Sequence, residues 1–145
     1  MAGSRPVRER RIFTPSQANS ALPLVKAIVH DIAELARGLR DRQERLARLG
    51  GHRGAMGEAY REELQQVQSD LERDDERMRE YLQELADLGV ELKDPFTGLV
   101  DFPARMNGRA VYLCWRLGEA EIGFWHELDA GFAGRQKLMV RAGNT

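Results

Sequence analysis

The sequence is poor in the features that usually assign a class at sight. It holds a single cysteine, Cys114, in 145 residues, so an internal disulfide is excluded and the fold must rest on packing. Its apolar runs are only a few residues long, far short of the ~20 needed to span a bilayer. The first residues lack the apolar core of a secretory leader, which predicts a cytoplasmic protein with no membrane partner. Neither sign of charge dominates: 22 Lys and Arg stand against 23 Asp and Glu, for a net charge of -1. That balance argues against a globally basic nucleic-acid binder, although local patches remain compatible with it. Aromatics are few, ten in all, yet seven of them (Phe96, Phe102, Tyr112, Trp115, Phe124, Trp125 and Phe132) fall between positions 96 and 132. With 42% hydrophobic and 31% charged residues, the composition fits one compact domain whose two halves differ in character.

Residues 1–12 carry Arg5, Arg8, Arg10 and Arg11 around Pro6 and read as a mobile basic arm, solvated in the simplest view and a contact to phosphate or an acidic partner in the other. Thr14-Pro15-Ser16-Gln17 is a helix start: Thr14 can cap, Pro15 suits the first helical position and Gln17 can reach back to the cap. From there Leu22, Val25, Val29, Ile32, Ala36, Leu39 and Leu46 keep the three-four spacing of a heptad seam. A helix from Pro15 to about Leu49 would run roughly 50 Å at ~1.5 Å per residue, longer than such a domain is wide, so it needs a partner along its length. Glycines at 50, 51, 54 and 57 interrupt the pattern, and a second seam follows through Tyr60, Leu64, Val67, Leu71, Met78, Tyr81, Leu85 and Leu88. The short connection makes the two helices antiparallel neighbours with a glycine-rich tip containing Arg53 and Met56. Asp74 takes a seam position, where it faces a polar partner, sets register or marks a place where the seam bows outward.

Gly89 is placed as a helix C-cap, and β chemistry begins beyond it. Val90–Leu92 reads as a short strand, Asp94-Pro95-Phe96-Thr97-Gly98 as a turn, and Leu99–Phe102 as a second strand that Pro103 confines to an edge or ends. Asn107-Gly108 between apolar runs is a strong hairpin signal, pairing residues 109–117 with 99–105. Val111, Leu113, Trp115 and Leu117 then share one face, and Tyr112, Cys114 and Arg116 the other. Since both faces are partly apolar, a helix or the C-terminal segment should cover the Tyr112/Cys114 side. Glu119 to Leu128 reads as a short helix and Lys137–Val140 as a weak last strand or tail. The expected fold is therefore α+β: a long antiparallel coiled-coil hairpin (13–89) packed on a small antiparallel β-sheet subdomain (90–145) with a short C-terminal helix.

The segments Gly98-Leu99-Val100-Asp101-Phe102-Pro103-Ala104, Val111 to Glu119, Trp125-His126-Glu127-Leu128 and Gly131 to Gln136, with Ile12-Phe13-Thr14-Pro15, Ala18-Asn19 and Leu22-Pro23-Leu24-Val25 at the start, resemble a bacterial family known as domain of unknown function 2203. The resemblance covers nearly the whole chain, and the ordered Cys, Trp and His make the C-terminal block specific. It implies one folded unit and carries no reaction onto these residues.

Function is left to the chemistry of that block. A divalent metal such as Zn, Mn or Fe would suit a histidine with carboxylates. Glu119 and His126 lie two turns apart on one face of a helix, so the sequence pairs them, with Asp101 or Cys114 supplied across the sheet. No His-Glu-x-x-His or paired Cys-x-x-Cys motif supports the set. The plainer reading, which the sequence favours, makes His126 a hydrogen-bonded histidine and the acids partners of Arg109, Arg116 and Arg135. Cys114, between Leu113 and Trp115, reads as a buried small hydrophobe before it reads as a nucleophile. His30 and His52 show no companion ligand. A binding or adaptor role is the leading functional expectation, through the hairpin tip (Arg53, Met56) and a C-terminal surface of Trp115, Arg116, Trp125 and Arg135, toward a protein partner or a second copy. Metal binding by Glu119, His126 and Asp101 is the alternative, and no catalytic residue is assigned.

Overall fold

A computed structural model describes residues 11–50 and 57–139. The basic arm, apart from Arg11 and Ile12, and the tip residues His52, Arg53 and Met56 lie outside the described residues. Helix α1 runs Pro15–Gly50 and helix α2 Glu58–Asp87. The start of α1 is the reciprocal cap expected from its sequence: the Thr14 hydroxyl accepts from the Gln17 amide at 3.0 Å, and Gln17 Oε1 accepts from the Thr14 amide at 3.0 Å. The helices pack as an antiparallel hairpin, tied by Arg42 to Asp74 and Arg45 to Glu63, with the Tyr60 hydroxyl donating to the Leu49 carbonyl at 2.7 Å. Asp74 is buried and faces the polar partner Arg42, which is how the charged seam position is accommodated.

A five-stranded antiparallel meander follows, with β1 Glu91–Asp94, β2 Leu99–Met106, β3 Arg109–Arg116, β4 Phe124–Glu127 and β5 Gln136–Lys137 in spatial order β1-β2-β3-β4-β5. The β2–β3 hairpin closes at Asn107 and Gly108, whose φ of 53° and 80° are the left-handed pair this turn demands. Pro103 does not end β2. Its carbonyl accepts from the Phe13 amide at 2.7 Å, so its missing N–H points to the same side, where β1 has already finished and no ladder bond is lost.

One sheet face carries Val100, Phe102, Val111, Leu113 and Trp115, which join Val25, Val29 and Ile32 of α1 and Leu85 of α2 in a single core. Asn19 pins α1 to the far end of the sheet by accepting from the Ile122 amide at 2.9 Å. The opposite face carries Asp101 on β2, Tyr112 and Cys114 on β3, and Phe124 and His126 on β4.

The expected short helix from Glu119 to Leu128 does not form. Phe124–Glu127 is a strand, and the helical element nearest the C-terminus is a 3-10 turn at Phe132–Gly134. Gly118, at φ 107°, and Gly123 break helical continuity, and the aromatic pair Phe124-Trp125 satisfies the free edge of β3 by pairing with Cys114 and Leu113. The segment after β4 folds back over the Tyr112/Cys114 face, the cover that the apolar character of that face required.

Candidate functional site

The face turned away from the helices brings three ligand-type side chains together. Asp101, Cys114 and His126 each offer one ligand atom, all within 4.8 Å of one another, and all three residues are buried. The register is the cause. Asp101 stands opposite Cys114 across β2–β3, and His126 stands opposite Tyr112 across β3–β4, so three adjacent strands each contribute one group to the same patch.

His126 Nδ1 lies 2.7 Å from the Glu127 carbonyl, which can only accept, so Nδ1 carries its proton and donates. That leaves Nε2 aimed at both Asp101 oxygens, each at 3.0 Å, with one proton shared across the gap. Burial pushes the Asp101 carboxyl above its ordinary value, opposed by the hydrogen bond and charge of His126 and by the more distant Lys93 ammonium. Burial also pushes the Cys114 thiol up to about 12, reinforced by the neighbouring Asp101 charge. The thiol is neutral at physiological pH, and nucleophilic catalysis by a free Cys114 thiolate is disfavoured.

A cleft of about 300 Å³ opens onto this patch from the solvent side. Asp101, Tyr112 and His126 line its inner part, Lys93 and Leu99 one wall, and Leu128 to Phe132 the other. The Tyr112 hydroxyl donates to Glu91 at 3.0 Å, the Lys93 ammonium donates to the same carboxylate at 2.9 Å, and it lies 5.2 Å above the Tyr112 ring. The hydrogen bond to Glu91 raises the Lys93 pKa and keeps it charged.

Of the residues singled out from the sequence, Asp101 and His126 meet, and Cys114 joins them as the cross-sheet donor. Glu119 does not. It sits in the turn after β3, where its carboxylate accepts from the Arg116 amide at 2.9 Å and from the Arg135 guanidinium at 2.8 Å. Its pairing with His126 presumed a helix where the chain forms a strand. Trp115 is fully buried, with Nε1 donating to the Glu119 carbonyl at 2.9 Å, and belongs to the core. Trp125 is half-buried on the helix-facing side under Arg109. Arg116 and Arg135 both stack on Phe132, and Arg135 also lies 3.8 Å over Phe124, so they hold the covering loop down. His30 has two acidic neighbours after all, Asp31 at 3.4 Å and Glu34 at 3.5 Å, all on the exposed surface of α1. The cleft walls Lys93, Leu128 and Asp129 carry no sequence signal as a set, because they are joined only by the fold of the covering loop.

Residues 11–138 match the profile of one family, described as an uncharacterized conserved protein (DUF2203). No curated protein and no solved structure matches the chain.

Proposed function

We propose that this chain, which belongs to the DUF2203 family of uncharacterized conserved proteins, binds a divalent transition metal through Asp101, Cys114 and His126. The observation that carries this reading is the convergence of a carboxylate, a thiol and an imidazole in one buried patch. The imidazole is already oriented as a ligand, since the Nδ1 hydrogen bond to the Glu127 carbonyl directs Nε2 inward, as outer partners of metal-bound histidines do. Ligands on a tetrahedral zinc ion stand about 3.3 to 3.6 Å apart, from metal bonds of roughly 2.0 to 2.3 Å. The Asp101–His126 gap of 3.0 Å therefore has to widen by only a few tenths of an ångström. The ion would replace the shared proton and deprotonate the thiol outright. A mixed sulfur, nitrogen and oxygen set suits Zn before Mn or Fe.

The test is elemental analysis of protein purified without an affinity tag, alongside Cys114→Ala and His126→Ala. Near-stoichiometric metal in the native chain, lost in both variants, is expected. Substoichiometric metal in all three samples would end the reading.

The hairpin supports a second role, docking on a protein partner or a second copy. The buried residues of α1 end at Ala36 although the helix continues to Gly50, so its last turns extend about 20 Å beyond the helix-sheet core. Mutation of Arg53 and Met56 should leave stability within about 0.5 kcal/mol while reducing partner recovery or self-association in sedimentation. Unchanged association would remove the tip from this role.

A further inference from the structure

We infer that the metal held by Asp101, Cys114 and His126 keeps one coordination position open to the cleft, and that this position takes a small uncharged molecule with an apolar tail and one oxygen donor, such as an amide or an alcohol. The inference rests on the metal reading above and adds the class of ligand to it.

Three protein ligands leave a tetrahedral ion one position short, which is the arrangement of sites that exchange a ligand rather than of closed structural ones. The direction of that position follows from the lining. Asp101 and His126 border the cleft and the fully buried Cys114 does not, so the fourth position is assigned to the cleft side. The cleft itself, about 300 Å³, is at the small end of ligand pockets.

Charge decides the class. A divalent ion is neutralised by the Asp101 carboxylate and the Cys114 thiolate. The Lys93 ammonium is paired with Glu91 at 2.9 Å, and the remaining charged group of the lining is Asp129, an acid. Among the described lining residues no unpaired positive charge is left over for an anionic ligand, since the Arg116 and Arg135 guanidinium groups lie outside the lining, stacked on the Phe132 ring, and Asp129 repels an anion. The rest of the wall is apolar, with Leu99, Leu128, Ala130 and Phe132, and Leu128 and Phe132 are among the exposed large hydrophobic residues of the chain. A tail of a few carbons covers them and removes that surface from water.

The test uses the full chain loaded with Co(II), whose visible bands report coordination and whose sulfur charge-transfer band reports Cys114. Isobutyramide and isobutyrate are matched in shape and differ in charge. Isobutyramide should shift the visible bands and bind at least about tenfold more tightly than isobutyrate, a difference of about 1.4 kcal/mol. Asp129→Asn, on an exposed residue, should narrow that ratio by strengthening isobutyrate. Leu128→Ala should weaken isobutyramide about fourfold, the worth of roughly one buried methylene. Cobalt uptake with bands indifferent to both compounds would mean a closed site and overturn the inference alone. Tighter binding of isobutyrate would overturn the charge argument. Failure to take up cobalt would overturn the metal reading and the inference together.

Discussion

Burial holds the Cys114 thiol protonated far beyond the alkaline range in which an exposed cysteine ionises, from an ordinary value of 9.0 up to about 12. Two measurements follow from this one residue. In the metal-free protein, iodoacetamide at pH 8 should leave Cys114 unmodified until the chain is unfolded, since the reactive thiolate is both scarce and buried. The same shift makes stability depend on pH. Between pH 9 and about 12 the unfolded thiol has lost its proton while the folded one keeps it, so this group lowers stability by up to about 1.4 kcal/mol per pH unit as pH rises through that window. The contribution is fully present below pH 9. Urea titrations of the native chain and Cys114→Ala across this range isolate the effect, and parallel curves would show that the thiol does not contribute. His126 acts in the opposite sense, because it satisfies Asp101. His126→Ala removes the partner of a carboxylate that is 3% exposed, and should cost about 3 kcal/mol near neutral pH in the same assay.

Turns and strand edges, more than helices, set the geometry of the site. Gly98 closes the β1–β2 turn at φ 69°, and a Cβ there would come within 2.7 Å of Leu117 Cβ and 2.9 Å of Val29 Cγ1. Gly98→Ala should therefore destabilise by at least about 2 kcal/mol, from left-handed backbone strain and overpacking together, measured as a fall in chemical midpoint. Because β2 also carries Asp101, the same variant should weaken metal uptake in proportion to any slip of the β1–β2 register. The Thr14-Pro15-Ser16-Gln17 cap and the Asn107-Gly108 turn were legible because each depends on a handful of consecutive residues with a single favoured geometry. The segment 119–128 was not. Ile122, Trp125 and Leu128 have helical spacing, and only the open edge of β3, a partner distant in sequence, turns the stretch into a strand.

At the scale of the whole molecule, stability should be graded. The core joins the lower parts of α1 and α2 to the sheet, whereas beyond Ala36 and up to Leu71 the two helices pack mainly on each other through half-buried seam residues such as Leu39, Leu46, Leu64 and Leu71. Arg37 and Arg40 of this stretch reach the β1–β2 turn at Phe96. Native-state hydrogen exchange should show slow amides in β2, β3 and the Val25–Ile32 stretch of α1, and faster ones in the distal arm. Uniform protection along α1 would mean that the arm is covered by a partner or a second copy in solution. Among the described residues no helix is long and apolar enough to cross a membrane.

By itself the sequence determined what depends on neighbours along the chain: the hairpin and its seams, the caps, the β2–β3 turn, and the concentration of ligand-type residues in the last third. The tertiary structure decided which of those residues meet. Asp101, Cys114 and His126 lie 12 to 25 positions apart, and three strands in a particular register place them on one face. Glu119, nearer to His126 in the chain than Asp101 is, goes to Arg135 instead. The physical reason is the two-residue alternation of strands: a shift of one position sends a side chain to the opposite face, so a site built across a sheet is specified by pairing and is invisible to spacing along the chain.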